Sequence, residues 1–150
     1  MEIRLLKKSE INSAARIVGK NYTKEYARMA KAEISAMFQK GANQPVYFVV
    51  EDQGKILGFA GHIQSWMDYN AYEVFWVNVL PEHQKQGIGK QLVSKVISEI
   101  KKKNNAKIIL LTANEEVGNP TYYKNKFGFK TLEKFGKSYH LMSLSVRKRK

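Results

Sequence analysis

The chain contains no cysteine. Disulfides, thiolate metal sites and any acyl-cysteine intermediate are excluded with it. Histidine is scarce: His62, His83 and His140 are the full set. No two of them lie close in sequence at metal-ligand spacing, so no structural or catalytic zinc is expected. No apolar run approaches the ~20 residues that span a bilayer, and the apolar stretch near Met1 is too short for the core of a secretory signal. The expected compartment is the cytosol. Repeats, low-complexity blocks and long Pro/Gly/Ser linkers are also missing, so residues 1–150 read as one domain. Acidic residues are few, 13 against 26 Lys plus Arg, for a net charge of +13. That surplus suits a polyanionic partner: nucleic acid, an acidic membrane surface or a phosphorylated cofactor. It is equally the mark of lysine-rich faces that keep a protein in solution. The basic end, residues 147–150, is expected to fray.

What is present patterns as a mixed sheet with helices. Ile3 to Leu6 suits a short strand. Ser9 is placed to cap a helix running to about Val18, with Gly19 near its end. Thr23 or a neighbour opens a second helix through Phe38, striped by Ala30, Ile34, Met37 and Phe38. Val46 to Glu51 and Lys55 to Gln64 read as strands joined by the tight turn Asp52-Gln53-Gly54. A third strand, Tyr72 to Leu80, follows the turn-like Asp68-Tyr69-Asn70. A helix from Gly89 to Lys103 carries Leu92, Val93, Val96, Ile97 and Ile100 on one face. Lys107 to Thr112 is a buried strand, and strand–helix–strand places 72–80 and 107–112 in parallel. Asn119 caps a last helix opened by Pro120. Phe129 to Phe135 and Tyr139 to Val146 close the chain as a hairpin around Gly136-Lys137. The order β-α-α-β-β-β-α-β-α-β-β describes an α/β fold with a mixed, mostly antiparallel central sheet and helices on both faces.

The most informative stretch lies between the third strand and the long helix, from Val77 to Lys90. A polar loop with two glycines opens a helix there, so unpaired N–H groups and side-chain-free backbone offer themselves to a phosphate. Lys85 and Lys90 add positive charge at the same place. The dinucleotide fingerprint fails, because Leu92 stands where its third glycine belongs. The Walker loop fails as well: Gln84 stands where its first glycine belongs, and Gln91 where Ser or Thr should follow Gly-Lys.

The pattern left, Gln84-x-x-Gly87-x-Gly89, resembles the acetyl-CoA motif of the GNAT N-acetyltransferase superfamily. The strand ending Val77-Asn78-Val79-Leu80-Pro81, the amphipathic helix after the loop and the tyrosine-rich helix ending Gly128-Phe129 extend the resemblance over roughly residues 46–146. It implies the GNAT fold, and acetyl transfer from acetyl-CoA to an amine by direct attack in a ternary complex, without a metal. It implies that Val77, Asn78 and Val79 pair through their backbone with the pantetheine arm. The loop of Gln84, Lys85, Gln86, Gly87, Ile88, Gly89 and Lys90 would hold the pyrophosphate.

Acetyl transfer to an amine needs proton handling. An alkyl amine with a pKa near 10.4 is unprotonated in only about one molecule per thousand or fewer at neutral pH, so a base must relieve it. Glu73 matches the offset of the glutamate base in the histone-acetylating branch of the family. Its aromatic neighbours suggest a partly desolvated carboxylate with a raised pKa. The resemblance also implies a tyrosine acid a few residues before Gly128-Phe129. The usual spacing falls on Lys124, one residue beyond Tyr123, so Tyr123 is the first choice and Tyr122 the alternative. The coenzyme-contacting asparagine of the family corresponds to Asn119 or Asn114, and capping alone would explain Asn119. His62 and His140 are expected to be structural, and His83 to be a solvent-facing loop residue. Trp66, Tyr69, Tyr72 and Trp76 line an acceptor pocket or belong to the core.

Other readings compete with the enzyme. A basic nucleic-acid module would use the charge, yet no recognition helix, zinc finger or RRM-type signature stands in the chain and its basic residues are scattered. A silent acyl-CoA sensor of the same fold would bind without turnover. The basic surface argues against free polyamines and for a peptide, protein or neutral small-molecule amine, but the acceptor itself is left open, as is monomer against homodimer.

Overall fold

Residues 1–103 and 106–146 are described in a computed structural model; the basic end expected to fray lies outside them. Strand β1 (Glu2–Leu5) leads into helices α1 (Ile11–Asn21) and α2 (Lys24–Ser35). A meander of β2 (Val46–Asp52), β3 (Lys55–Gln64) and β4 (Ala71–Val79) follows, then α3 (Ile88–Lys101) and β5 (Lys107–Ala113). Helix α4 (Pro120–Phe127) and the hairpin of β6 (Lys130–Phe135) and β7 (Tyr139–Ser145) complete the chain. The strands form one sheet in the order β1-β2-β3-β4-β5-β7-β6. All neighbours are antiparallel except β4 and β5, which gives the mostly antiparallel α/β sheet expected.

Local chemistry explains most of these boundaries. The β2–β3 turn has positive φ at both Gln53 and Gly54, the pairing that lets a two-residue turn follow strand twist. Thr23 caps α2 by accepting from the Tyr26 N–H at 3.1 Å. Ser9 does not cap α1. Lys8–Glu10 form a 3₁₀ turn instead, because the Glu10 carboxylate accepts from the Lys7 N–H at 2.8 Å and from Arg4 at 2.6 Å. Gly19 is not a helix end either. It lies inside α1, where a Cβ would come 3.3 Å from the Cβ of Ala27, so the missing side chain lets α1 and α2 pack closely. The second helix stops at Ser35, and Met37 and Phe38 fall in a 3₁₀ turn.

Helices cover both sheet faces, which is why Tyr47 to Val50 of β2 are all buried in spite of strand alternation. Phe48 faces α3, where the Lys95 ammonium stands 5.5 Å from its ring. Tyr47 points the other way, toward α2. At the far edge β6 is exposed along its whole length, and its Lys130, Glu133 and Lys134 blunt that edge against pairing.

One irregularity positions everything that follows. The parallel ladder holds only three pairs, Ala71↔Lys107, Tyr72↔Ile108 and Glu73↔Ile109, shorter than the run 72–80 expected. Beyond Glu73, β4 and β5 diverge, and the sheet splits into a wedge. On its other side β4 bulges: Phe59 pairs with Asn78 and Gly61 with Phe75, so Trp76 and Val77 share one opposing residue. Trp76 takes φ +51°, an uncommon backbone state for a bulky side chain.

Candidate active site

The loop that follows β4 is built to leave amides free. Pro81 starts a 3₁₀ turn through His83, and Lys85 and Gly87 then take φ +62° and +86°. Gly87 is the N-terminal cap of α3 and offers no side chain to the helix. The first helical bond runs from the Gln91 N–H to the Gly87 carbonyl at 3.0 Å. The N–H groups of Ile88, Gly89 and Lys90 precede it and have no intrahelical acceptor. A Cβ on Gly87 would meet nothing within 4 Å, so the approach to those amides is open. Ile88 is buried and pins the turn to the core, while Lys85, Gln86 and Lys90 are exposed around it. Free amides, a helix N-terminus and two lysines are groups whose chemistry suits a phosphorylated ligand.

Gln84 does different work from its neighbours. Its side-chain amide donates to the Val79 carbonyl at 3.1 Å and to Asn21 Oδ1 at 3.0 Å. Asn21, at the end of α1, in turn donates to Asn78 Oδ1 and the Val79 carbonyl, both at 3.0 Å. Three amide side chains thus lock the loop, α1 and the end of β4 together. Of the three residues expected to meet pantetheine, Asn78 is buried with its side chain spent on Asn21. The Val79 carbonyl is also occupied. Val77 lies in the bulge, on the stretch of β4 that has no β5 partner. Asn21 has no sequence signal as a functional residue; it reads as an ordinary helix-end asparagine.

A cavity of about 590 Å³ opens where the strands part. Val74, Phe75 and Trp76 of β4 line one wall, and Ile109, Leu110 and Leu111 of β5 the other. Glu73 lines it too, and its side chain is exposed. The partly desolvated carboxylate expected there is therefore corrected: strand alternation turns Tyr72 into the core and Glu73 out of it. Glu33 of α2 reaches the same cavity and accepts from the Trp76 indole N–H. Tyr47 contributes a fully buried ring whose hydroxyl has no hydrogen-bond partner among the described residues. Burial is the main cause that pushes its phenol up, and the charge of Glu33 adds to it. Neither Glu33 nor Tyr47 stands out in the sequence, where one reads as a solvated helix position and the other as core. Of the four aromatics expected around the acceptor, only Trp76 lines the cavity. Tyr72 is buried on the opposite face against His62, and Trp66 and Tyr69 are exposed on the β3–β4 loop.

The two tyrosines of α4 part company. Tyr123 is 5% exposed and packs edge-on against Phe129 at 5.6 Å, its hydroxyl beside Gly118. Tyr122 is half-buried, and its hydroxyl lies 3.9 Å from where a Cβ of Gly89 would stand, next to Val79. It reaches the junction of β4 and α3 at the open end of the wedge. Burial raises both phenols. The Asn119 side chain accepts from the Tyr122 N–H at 2.9 Å and caps α4; Asn114 is exposed on the loop after β5. His83 is half-exposed in the 3₁₀ turn. Among the described residues no group of three or more His, Asp or Glu side chains is arranged to hold a metal ion. No described helix is long and apolar enough to cross a membrane.

Comparison with known proteins agrees with this geometry. The sequence model of the acetyltransferase (GNAT) family matches residues 11–129. The chain belongs to that acetyltransferase family. No curated protein sequence matches it. Among solved structures, a GNAT-family protein from Desulfovibrio desulfuricans superposes with a TM-score of 0.83 at 17% identity, covering 97% of this chain and 98% of the other. An aminoglycoside 6′-N-acetyltransferase complexed with coenzyme A gives 0.78 at 16% identity, with 100% and 99% covered. The ribosomal-protein-S18-alanine N-acetyltransferase of Escherichia coli gives 0.74 at 16%, with 99% and 96% covered. At these identities the structures establish a shared fold.

Proposed function

We propose that the protein moves the acetyl group of acetyl-CoA onto an amine held in the cavity between β4 and β5. The observation that carries this reading is the wedge. Beyond Glu73 the strand β4 leaves β5 and runs on through Val77 into the loop whose amides are free, so an arm laid along β4 would span from a diphosphate to an acceptor beside Glu73. Relatives of the same fold include a coenzyme A complex, and their acceptors range from aminoglycosides to a ribosomal protein.

Bound acetyl-CoA supplies the acetyl group activated as a thioester. The N–H groups of Ile88, Gly89 and Lys90 grip the pyrophosphate, with Lys85 and Lys90 neutralising its charge. The unpaired edge of β4 around Val77 steers the pantetheine arm, and Gln84 with Asn21 keeps that edge in place. Glu73 takes the proton of the acceptor ammonium, directly or through water. The freed nitrogen bonds to the acetyl carbon as the carbon–sulfur bond breaks, Tyr122 gives a proton to the departing sulfur, and the second proton shed by the nitrogen restores the phenol through water. Tyr122 suits this role better than Tyr123, whose hydroxyl is sealed beside Gly118. A phenol raised by burial stays protonated at neutral pH, as a donor must. Positioning supplies most of the acceleration in such direct transfer.

Purified protein, acetyl-CoA and a panel of amines test the proposal by release of free thiol. Turnover with at least one amine is expected. Tight coenzyme binding without turnover on any amine would favour an acyl-CoA sensor, and a salt-dependent gel shift with DNA but no coenzyme binding would favour a nucleic-acid module.

A further inference from the structure

The cavity between β4 and β5 carries charge of one sign. Among the described residues its only charged lining side chains are Glu33 and Glu73, in a chain whose net charge is +13. The local field there opposes that of the whole protein. The two carboxylates come from separate elements, α2 and β4, so the pairing is not a run of acidic sequence. The Trp76 indole N–H fixes Glu33 and leaves the carboxylate with further lone pairs for a cation. Tyr47 and Phe75 meet edge to face at 5.6 Å and, with Trp76, give the cavity aromatic walls. Aromatic faces beside carboxylates favour ammonium groups.

A second observation points to a ligand independently of charge. Tyr47 lines the cavity and is 0% exposed, and among the described residues its hydroxyl has no hydrogen-bond partner. A buried hydroxyl without a partner is costly and uncommon. A phenylalanine would pack the same ring without that cost, so the oxygen is explained if a bound molecule completes its hydrogen bonding.

We propose that this cavity takes a small acceptor with at least two amino groups, one held as an ammonium by Glu33 and the aromatic walls, the other presented beside Glu73 for acetylation. The proposal rests on the acetyl-transfer reading above and narrows its acceptor class. The acceptor enters with both amines protonated. The ammonium beside Glu73 loses one proton, its nitrogen bonds to the acetyl carbon as the carbon–sulfur bond breaks, and the nitrogen sheds a second proton that balances the one the sulfur takes up. The second ammonium keeps its charge and its place. The cavity's size suits a small molecule. Cationic surface elsewhere is no obstacle, because the carboxylates nearest the bound ammonium act at the shortest range.

The test compares putrescine and cadaverine with butylamine and pentylamine by thiol release, with mono-N-acetylputrescine and a short peptide with a free N-terminus alongside. The diamines are expected to exceed the matched monoamines in kcat/KM by about tenfold or more, and the ratio should shrink in high salt. Glu33→Gln keeps an acceptor for Trp76 and should cut the diamine preference about fivefold or more, through KM rather than kcat. Tyr47→Phe should stay folded by thermal melt and raise KM for diamines. Equal kcat/KM for monoamines or peptide and diamines, or an unchanged preference in Glu33→Gln, overturns the acceptor class while leaving acetyl transfer intact. Absence of thiol release with every amine overturns acetyl transfer and the acceptor class with it.

Discussion

The side-chain amide of Gln84 stands 3.1 Å from the carbonyl of Val79, so the loop before α3 is tied to the strand it leaves. Asn21 completes the tie from α1. Replacing Asn21 by Ala removes a donor to the Val79 carbonyl and the partner of Asn78. Each loss of a buried hydrogen bond costs about 1–3 kcal/mol. Urea denaturation should therefore show Asn21→Ala less stable by an amount in that range. Its affinity for acetyl-CoA should fall with it, because the loop is no longer held in register.

Gly87 should tolerate little. At φ +86° a side chain costs about 1–2 kcal/mol on conformational grounds, and its Cβ would point into the open space above the amides. Acetyl-CoA is expected to raise the melting temperature of the wild-type chain. In Gly87→Glu that rise should vanish, since a carboxylate would occupy and repel at the phosphate site. An undiminished rise would remove this loop from the coenzyme site.

Glu73→Gln is expected to bind acetyl-CoA as the wild type does and to lower kcat by roughly 10²–10⁴-fold, the usual worth of a positioned base. Tyr122→Phe should also lower kcat, while Tyr123→Phe should act on stability. Steady-state kinetics beside thermal melts separate the two tyrosines, and the reverse pattern would return the acid role to Tyr123.

His62 carries a prediction about pH. It is stacked on Phe48 at 6.3 Å, its Nδ1 is buried with no partner among the described residues, and burial pulls its pKa down to about 4. Glu99 opposes that shift and Lys103 adds to it. The folded state binds fewer protons than the unfolded state between pH ~6.5 and ~4, so stability falls on acidification through that window. The slope should approach about 1.4 kcal/mol per pH unit at most. His62→Phe should flatten it in urea titrations followed across that range.

Sequence and structure agree where local chemistry decides. The Gln53-Gly54 turn, the Thr23 and Asn119 caps and the apolar face of α3 all come from neighbours along the chain. The long helix begins at Ile88, one residue ahead of the expected Gly89, with Gly87 as its cap at positive φ. Disagreement arises where distant residues compete. Arg4 recruits Glu10 and displaces Ser9 as the start of α1. Ala27 of the next helix explains Gly19. The bulge at Trp76 leaves no local mark, because a tryptophan is not a residue that advertises positive φ; it persists with Glu33 fixing the indole. The exposure of Glu73 follows from strand alternation, which its aromatic neighbours obscured. Spacing alone could not separate Tyr122 from Tyr123, since the choice depends on which side of α4 meets Gly89 and which meets Phe129.

In the proposed reaction, amides at the start of α3 hold the diphosphate while the parted strands hold the arm and the acceptor. Backbone NMR of the labelled protein during titration with acetyl-CoA tests it most directly. The N–H resonances of Ile88, Gly89 and Lys90 should shift most, with Val77 moving in step and β6 unmoved. Saturable binding that leaves those amides in place and perturbs another surface would contradict the account.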